Sequence, residues 1–524
     1  MIFIPAIIFE SSYGLDWYTF RREIWQIIML AAPGVLISAV LTAIFFLYIL
    51  DYKDIFTWGQ ALMLGAVLSA TDPVAVVSLL KELGTSKRFS TIIEGESVVN
   101  DGTAMVLYIV MLKAALGEEL EPGEIIGDLV RLSLGGPAMG LLFGFVMCQV
   151  LKRIHNDFVL EFTITLVTSY LLYYTCELAG AHVSGILGLL AMGLYVSAWG
   201  RSTISLESEH QLHVIWKFLA YIGETLLFVL AGIIIGDKIF TDDTISGEDW
   251  GKLFGFLFLM ELNRGLMVLI LFPSLYWWGY RVSWRQALVM THAGLRGGIA
   301  ICLALLVQDE DLPNEVKHLV LFHTAGIAFF TIIINGSTTK WLLIKLGLTH
   351  TSKVEEATLV KVVQTVLEET SKSIKALRRD KHFLEANWMK VKELVGVKKF
   401  AKTVLSKTSS GKKVLKDLKL DNKNDLDFFE HYVTGHRQTV NVYAMQLEIR
   451  HRFLTIIRGL YWSKYTEGQA KAAVVFKLIS SANNSIDHEY KPMNDWEHIE
   501  KFLISSWQLR LLIKVRYVPL IGKL

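Results

Sequence analysis

Long apolar segments separated by short polar loops fill the first 350 residues of the chain. A helix needs about 20 apolar residues to cross the hydrocarbon core of a membrane, and it satisfies its own backbone hydrogen bonds there. The pattern therefore predicts ten membrane-spanning helices and, at residues 1–9, the end of another. The approximate predicted spans are 25–50, 59–81, 92–116, 127–152, 159–178, 181–200, 213–236, 251–278, 284–308 and 316–346.

The polar loops between these spans alternate in charge. Basic loops include Arg21–Arg22, Lys87–Arg88 and Lys152–Arg153, and acidic loops include residues 118–124 and Asp309–Asp311. Because cytoplasmic loops carry an excess of Lys and Arg, the basic loops and the C-terminal tail are predicted to face the cytoplasm. A soluble helical protein with a buried core would not produce this alternation, so we expect a multi-pass membrane protein.

The charge balance changes where the long apolar segments end. Residues 1–350 carry 21 basic and 31 acidic side chains, whereas residues 351–524 carry 31 basic and 19 acidic ones. Amphipathic stretches at 354–395 and 428–480 are separated by a polar break. We therefore predict a transmembrane domain at 1–350 and a cytosolic helical regulatory domain at 351–524. The basic tail could contact anionic lipid, but we favour a face that is solvated or packed on its own neighbours.

The second predicted span contains the segment Ser69-Ala70-Thr71-Asp72-Pro73 in its middle. Pro73 cannot donate the helical hydrogen bond and disfavours helix at Asp72. The helix should therefore break here and leave the carbonyls of Ala70 and Thr71 free. Broken helices with freed carbonyls form cation sites in secondary transporters. Asp72 can also cap the second half-helix, and the two roles are compatible.

The third predicted span carries Ser97, Asn100 and Asp101 on one face, because their spacings are those of helical neighbours. Their oxygens are hard ligands of the kind that suit Na⁺. Apolar surroundings disfavour a charged carboxylate, so Asp101 can hold either a proton or a cation, as exchange requires. A permanent pair between Asp101 and a basic residue is the structural alternative, although no Lys lies near it in the sequence.

Arg296 stands between glycines deep in the ninth predicted span. A buried guanidinium needs a carboxylate partner, and the candidates are Glu94, Glu96 and Glu224. We expect an ion pair that fixes helices beside the site rather than direct ion binding. Glu224 and the segment Glu261–Arg264 are expected to form a similar pair.

Six segments of the chain resemble, in order, the signature motifs of the sodium/proton exchanger family (monovalent cation:proton antiporters). They are FIPAIIFESSYGLD, SATDPVAVVSLLKELG, EGESVVNDGTAMVLY, AHVSGILGLLAMG, GETLLFVLAG and GLRGGIAICLAL, and the resemblance covers residues 1 to about 346. The tail segments ALRRDKHFLEANW and LEIRHRFLTIIRGLYWSKYTEGQA resemble the region after the membrane domain in sperm-type and plant salt-tolerance exchangers. Of these two subfamilies we favour the sperm type.

The resemblance implies an all-α, inverted-repeat antiporter fold with a dimerisation scaffold and a moving core that carries two crossed, broken helices. It also assigns roles to eight residues. It assigns ion and proton transport to Asp101, Asp72, Thr71, Asn100 and Ser97, with Asp101 and Asp72 as Na⁺ ligands, the helix break to Pro73, and a stabilising ion pair to Glu96 and Arg296. The Asn-Asp pair is associated in the family with electroneutral one-for-one exchange.

The resemblance further implies a secondary antiporter of Na⁺ and H⁺ that regulates pH and sodium. We expect no enzymatic activity, no resident cofactor and no nucleic-acid partner, a homodimer in full-length form, and a plasma membrane location, in the sperm flagellum for the sperm type. Family members have further helices before the FIPAIIFE motif, so the first helices are expected to be missing. The alternative is a transport-inactive truncated form that acts as a regulatory or assembly partner. A channel is disfavoured because nothing resembles a selectivity-filter loop.

Overall fold

The computed structural model describes residues 3–348 with short gaps, parts of 362–391, residues 442–487 and residue 499. The gaps within the first range are 119–120, 155–156, 178–181, 242–246 and 280. The chain divides into two units, Met1–Thr349 and His350–Leu524.

Fourteen α-helices make up the first unit in the residues that the structure describes, and no strand occurs among them. They are α1 (Ile4–Gly14), α2 (Trp17–Ala31), α3 (Pro33–Ile44), α4 (Trp58–Ser69), α5 (Val74–Glu82), α6 (Lys87–Ala115), α7 (Pro122–Leu151), α8 (Phe158–Glu177), α9 (Gly185–Tyr195), α10 (Leu206–Thr241), α11 (Gly247–Trp277), α12 (Trp284–His292), α13 (Gly298–Asp309) and α14 (Asn314–Lys345). Single π-helical turns, Phe45–Ile49 and Val196–Gly200, extend α3 and α9.

Each of the ten predicted spans contains helix in the described residues, which confirms the all-α class. Eight helical segments of the described chain are long and apolar enough to cross a membrane, and Gly185–Gly200 and Gly298–Asp309 are shorter apolar helices. The prediction of one continuous helix over 284–308 is wrong, because residues 293–297 are not helical and separate α12 from α13. Gly294 and Gly297 lie in this break, and glycine is a poor helix former.

The outer faces of the helices expose large apolar side chains, as a lipid-facing surface would. Phe258 is 72% exposed, Val159 69% and Leu134 67%. A protein surface in water rarely exposes extensive apolar patches. Between helices, small residues allow close packing, as is typical in membranes. A Cβ added at Gly140 on α7 would lie 2.0 Å from the carbonyl oxygen of Gly188 on α9.

One order of elements occurs twice in the first unit: a long helical segment, a broken helix and a second long helix. The first set is α2–α3, α4/α5 and α6, and the second is α11, α12/α13 and α14. Each broken helix begins with a capping box, formed by Thr57 with Gln60 in α4 and by Ser283 with Gln286 in α12. Such boxes satisfy backbone donors at a helix start, so both broken helices have well-defined first residues.

The described part of the second unit includes a helical hairpin, α15 (Val442–Thr466) and α16 (Ala472–Asp487), and a short 3₁₀ turn, Lys381–Phe383. The hairpin turn contains Gly468 in the left-handed region, with φ +69°, which glycine adopts without strain. The predicted helical region 428–480 is helical at 442–466 and again from 472, with the turn between them, and its first residues lie outside the described part. About half of the predicted stretch 354–395 also lies outside it, and described residues within it, such as 372–374, are helical.

Candidate ion-binding site

The two broken helices of the first unit cross at their breaks. The backbone N–H of Asp72, between α4 and α5, donates a 2.8 Å hydrogen bond to the carbonyl of Leu295, between α12 and α13. A Cβ added at Gly297 would lie 2.2 Å from the Cβ of Asp72. Only glycine leaves room for this approach. The two unwound segments are therefore joined at a point where neither helix satisfies its own backbone.

Asp72 lies at the N-terminal ends of both α5 and α13, which are the second halves of the two broken helices. Its Oδ1 accepts a 3.0 Å hydrogen bond from the N–H of Val74, the first residue of α5. Its side chain also contacts Gly297, which precedes α13. Helix N-termini favour negative charge. The helix is thus interrupted between Ser69 and Val74, where Pro73 led us to expect a break, and Asp72 accepts a hydrogen bond from the first N–H of the second half.

Ser97 and Asn100 on α6 form hydrogen bonds to the break between α4 and α5. These bonds show that the prediction of a free Thr71 carbonyl is wrong. Ser97 Oγ donates to the Thr71 carbonyl at 2.8 Å. Asn100 Nδ2 donates to the Ser69 carbonyl and to Thr71 Oγ1, both at 2.9 Å. The Thr71 carbonyl, expected to be free, therefore already accepts a hydrogen bond. A carbonyl oxygen has two lone pairs, so one acceptor position remains on it.

Asp101 follows Asn100 and differs from its neighbours in lacking a donor. Its side chain is 9% exposed, and within the described part of the chain no protein group donates to its carboxylate. The Asn100 Oδ1 is also buried without a hydrogen-bond partner. The charges facing Asp101 are the carboxylates of Asp72 and Glu224. Unpaired buried oxygens of this kind are costly unless a proton or a cation compensates them.

Arg296 contacts the carbonyl end of α4 and, among the residues that the structure describes, forms no ion pair with a carboxylate. Its Nη1 lies 3.2 Å from the Ser69 carbonyl and 3.4 Å from the Ala70 carbonyl. The side chain is buried, and the Arg296 backbone N–H donates to Thr331 Oγ1 on α14. A cation at a helix C-terminus is stabilised by the helix dipole. Arg296 therefore replaces the helical hydrogen bonds that α4 loses at its break, including one at the Ala70 carbonyl that was expected to be free.

The predicted pair of Glu96 with Arg296 is corrected by the structure. Glu96 Oε1 lies 2.5 Å from Nη2 of Arg264 on α11, and both side chains are buried. Arg264 Nε also donates to the Met290 carbonyl, near the end of α12, at 3.4 Å. The two arginines thus occupy equivalent positions. Arg296 binds carbonyls at the C-terminal end of α4, and Arg264 binds one near the C-terminal end of α12; α4 and α12 are the first halves of the two broken helices. Glu94, another candidate partner, instead pairs with Lys81 at 3.1 Å.

Asn335 is a further polar residue beside the site that the sequence did not single out. Its Nδ2 donates to Glu261 on α11 and to the His292 carbonyl, the last residue of α12. Glu224 was expected to pair with the segment Glu261–Arg264, whose only cation is Arg264. In the described residues Arg264 pairs with Glu96 instead, and Glu261 accepts from this amide. An asparagine within an apolar span was the available signal.

The arrangement combines unpaired oxygen ligands with fixed charges. Asp101 and Asn100 Oδ1 are available to a hard cation, and Asp72 adds a second carboxylate near the same break. Glu96–Arg264 and Arg296 hold the surrounding backbone. Such a site can exchange a proton for a monovalent cation, because a carboxylate binds either one.

Comparison with known proteins identifies related chains. The family model described as sodium/hydrogen exchanger, transmembrane, matches residues 1–345. Sodium/hydrogen exchanger 7 of Arabidopsis thaliana is 34% identical over 95% of this chain, and sodium/hydrogen exchanger 8 of the same plant is 35% identical over 95%. The chain spans 42% and 63% of the length of these two relatives. These matches do not establish the expected closeness to the sperm type.

A solved structure shows the same fold at low sequence identity. The sodium proton antiporter MjNhaP1 from Methanocaldococcus jannaschii matches with a TM-score of 0.55 and 18% identity, over 66% of this chain and 84% of that one. At this identity the similarity concerns the fold alone.

Proposed function

Because the chain belongs to the sodium/hydrogen exchanger family, we propose that it exchanges Na⁺ for H⁺ across a membrane as a secondary active antiporter. Two related exchangers match 95% of its length, and the described part of its first unit contains eight helical segments long and apolar enough to span a bilayer. The exchange involves no covalent chemistry. The gradient of one ion drives the other.

Asp101 is the proposed carrier. Its buried carboxylate has no donor among the described residues, so it needs either a proton or a cation to compensate its charge. In the Na⁺-bound form, Asn100 Oδ1 and Asp72 supply further oxygens, which match the preference of a hard cation. Thr71 and Ser97 hold the backbone of the break beside them. In the proton-bound form the carboxyl group is neutral, and the site no longer attracts Na⁺.

Transport follows because Na⁺ and H⁺ exclude each other from the same site. The carrier crosses between the two sides of the membrane loaded with either Na⁺ or H⁺, so each cycle moves one ion of each kind in opposite directions. The charge that crosses is equal in both directions, and the exchange is electroneutral. The protein works as a homodimer in the plasma membrane, with the tail in the cytoplasm, and it contributes to pH and sodium regulation.

One observation carries this proposal: an unpaired buried carboxylate, Asp101, beside the crossing of two broken helices. A merely structural carboxylate would have a permanent partner, as Glu96 has in Arg264. The glycine at 297 and the hydrogen bonds from Ser97 and Asn100 keep the crossing intact. The second repeat of elements supplies Arg264 and Arg296, so both repeats contribute to one site.

The test is a flux measurement on the purified chain in proteoliposomes, with a pH-sensitive dye inside and the membrane potential clamped at two values. We expect an outward Na⁺ gradient to drive proton uptake at the same rate at both potentials. A current that follows the Na⁺ gradient without proton movement would identify a channel. Absence of any Na⁺-dependent flux in correctly folded protein would favour the transport-inactive partner instead. A flux that depends strongly on potential would contradict electroneutral exchange.

A further inference from the structure

The hairpin of α15 and α16 buries one face of each helix. Leu454 and Tyr465 of α15 and Val475 and Ala482 of α16 are all buried. Arg450 donates to the carbonyl of Ser485 at the far end of α16. Part of the apolar surface of α15 is therefore buried against α16, on the inner face of the hairpin.

The opposite face of α15 is apolar and exposed. Ile449 is 58% exposed, Phe453 49%, Ile456 62% and Leu460 56%. Their spacings of four, three and four residues place them in one line along the helix. We call these four residues the apolar stripe. The sequence favoured a tail face that is either solvated or packed on its neighbours. The apolar stripe is too hydrophobic to be a solvated face, and it is too exposed to be packed on neighbouring residues.

Basic residues border the apolar stripe. With 100° between successive residues, Arg452 and Lys464 lie on opposite edges of it. Lys464 also forms an exposed ion pair with Glu467 at 3.4 Å, and such exposed pairs contribute little. Residues 442–487 carry six Lys or Arg and three Asp or Glu, a net charge of +3. A helix with an apolar face between basic edges is typical of helices that lie in a membrane interface, where anionic lipids attract such residues.

The apolar stripe could in principle be covered by a second copy of α15 instead of a membrane, but the charges at its edges argue against this. Two identical stripes packed together would bring the basic edges of both copies into one interface, and like charges there are unfavourable. A bilayer that contains anionic lipid carries negative charge, which attracts these basic residues. The tail also belongs to the same chain as the spanning helices, and this tether raises the effective concentration of bilayer, so that weak affinity is enough.

We propose that α15 docks through the apolar stripe on a bilayer surface containing anionic lipid, with Arg452 and Lys464 at the headgroups. This contact concerns the tail and does not depend on transport by the first unit. It would make the position of the tail sensitive to the lipid composition of the membrane.

The test uses the full chain in lipid nanodiscs with a nitroxide spin label at Ile456→Cys. The native cysteines 148, 176 and 302 are buried, and unsubstituted protein gives the background labelling. A label at Thr455→Cys, an exposed position outside the stripe, is the matched control. Collision rates with oxygen, which concentrates in lipid, and with a nickel chelate, which stays in water, report the surroundings of each label.

In nanodiscs with about 30% phosphatidylserine we expect the oxygen-to-nickel ratio at position 456 to rise at least about threefold over pure phosphatidylcholine, with little change at position 455. Arg452→Gln and Lys464→Gln should each weaken the docking equilibrium about fivefold, as a charge near an anionic surface contributes about 1 kcal/mol. An unchanged spectrum of the 455 label verifies that the hairpin remains folded in these variants. Nickel access at 456 in both lipids would overturn the proposal, and so would a label shielded from both reagents and coupled to a second spin, which would identify contact between copies.

Discussion

Glu96 on α6 and Arg264 on α11 form a buried ion pair across the two repeats of the first unit. Their Oε1 and Nη2 atoms lie 2.5 Å apart, and the side chains are 3% and 8% exposed. Each charge depends on the other, because removing one partner leaves an uncompensated charge in an apolar environment. The pair therefore couples α6, which carries Asp101, to the end of α12 through the contact of Arg264 with the Met290 carbonyl.

Arg264→Ala should destabilise the first unit by about 3–5 kcal/mol, the cost of leaving a buried carboxylate unpaired. Thermal unfolding of the purified protein, followed by size-exclusion chromatography, measures this loss. Lys81→Ala is the matched control, since it breaks the exposed pair with Glu94 and such pairs contribute at most about 1 kcal/mol. Combining Glu96→Gln with Arg264→Gln should recover part of the loss. Equal effects of Arg264→Ala and Lys81→Ala would contradict the assignment.

Arg296→Ala should reduce abundance for a different reason. It removes the donor that satisfies the Ser69 and Ala70 carbonyls at the end of α4, and each hydrogen bond from a charged group contributes about 1.5–3 kcal/mol. We expect poor folding and low surface abundance in cells, measured by biotinylation. A well-expressed Arg296→Ala protein with normal thermal stability and altered ion affinity would show that Arg296 acts on the ion directly.

The sequence predicts the helices well because spanning segments must satisfy their own backbone, so apolar length alone locates them. The break at Asp72 was also predictable, since Pro73 imposes it locally. The second break, at residues 293–297, carries no proline, and the glycines there indicate it only weakly. Its conformation is stabilised by tertiary contacts, notably the hydrogen bond from Asp72 to Leu295.

The partner of Glu96 could not be derived from the sequence. Arg264 and Arg296 are both buried arginines in the second repeat, and the choice between them depends on how α6 packs against α11 rather than on spacing along the chain. The same holds for Asn335, which binds Glu261 and the end of α12. Ser97, Asn100 and Thr71 do come together as expected, because helical spacing fixes the first two.

Gly297→Ala should impair transport at least about tenfold, because the new Cβ would lie 2.2 Å from the Cβ of Asp72 and 2.5 Å from its Oδ2. Either the crossing opens or Asp72 moves, and a misplacement of about 1 Å can reduce a rate about 100-fold. Gly298→Ala is the control next to it, since its nearest atom there is Leu227 Cδ1 at 3.9 Å. Proton flux in proteoliposomes with equal amounts of each protein compares the two. Similar activity of both variants would refute the tight crossing.

Asp101→Asn should abolish Na⁺-dependent pH recovery in exchanger-deficient cells without lowering surface abundance. The amide keeps the shape of the carboxylate, but it can neither release a proton nor neutralise Na⁺. Asp128→Asn serves as the control, because Asp128 pairs with Lys113 and Arg131 on α6 and α7 and lies outside the proposed site. Transport that survived in Asp101→Asn would exclude Asp101 as the carrier.

Na⁺ and H⁺ should compete for the site if Asp101 binds only one of them at a time. Below the pKa of the carrier, each pH unit of acidification should raise the apparent Na⁺ Kd about tenfold, since one proton leaves for each ion bound. Above that pKa the affinity should level off, because no proton remains to be displaced. Binding of radioactive Na⁺ to purified protein over a range of pH measures both limbs. The slope tests the stoichiometry directly: a Kd that changed about 100-fold per unit would mean that two protons leave, which would place a second carboxylate, Asp72, in the titration and contradict one-for-one exchange.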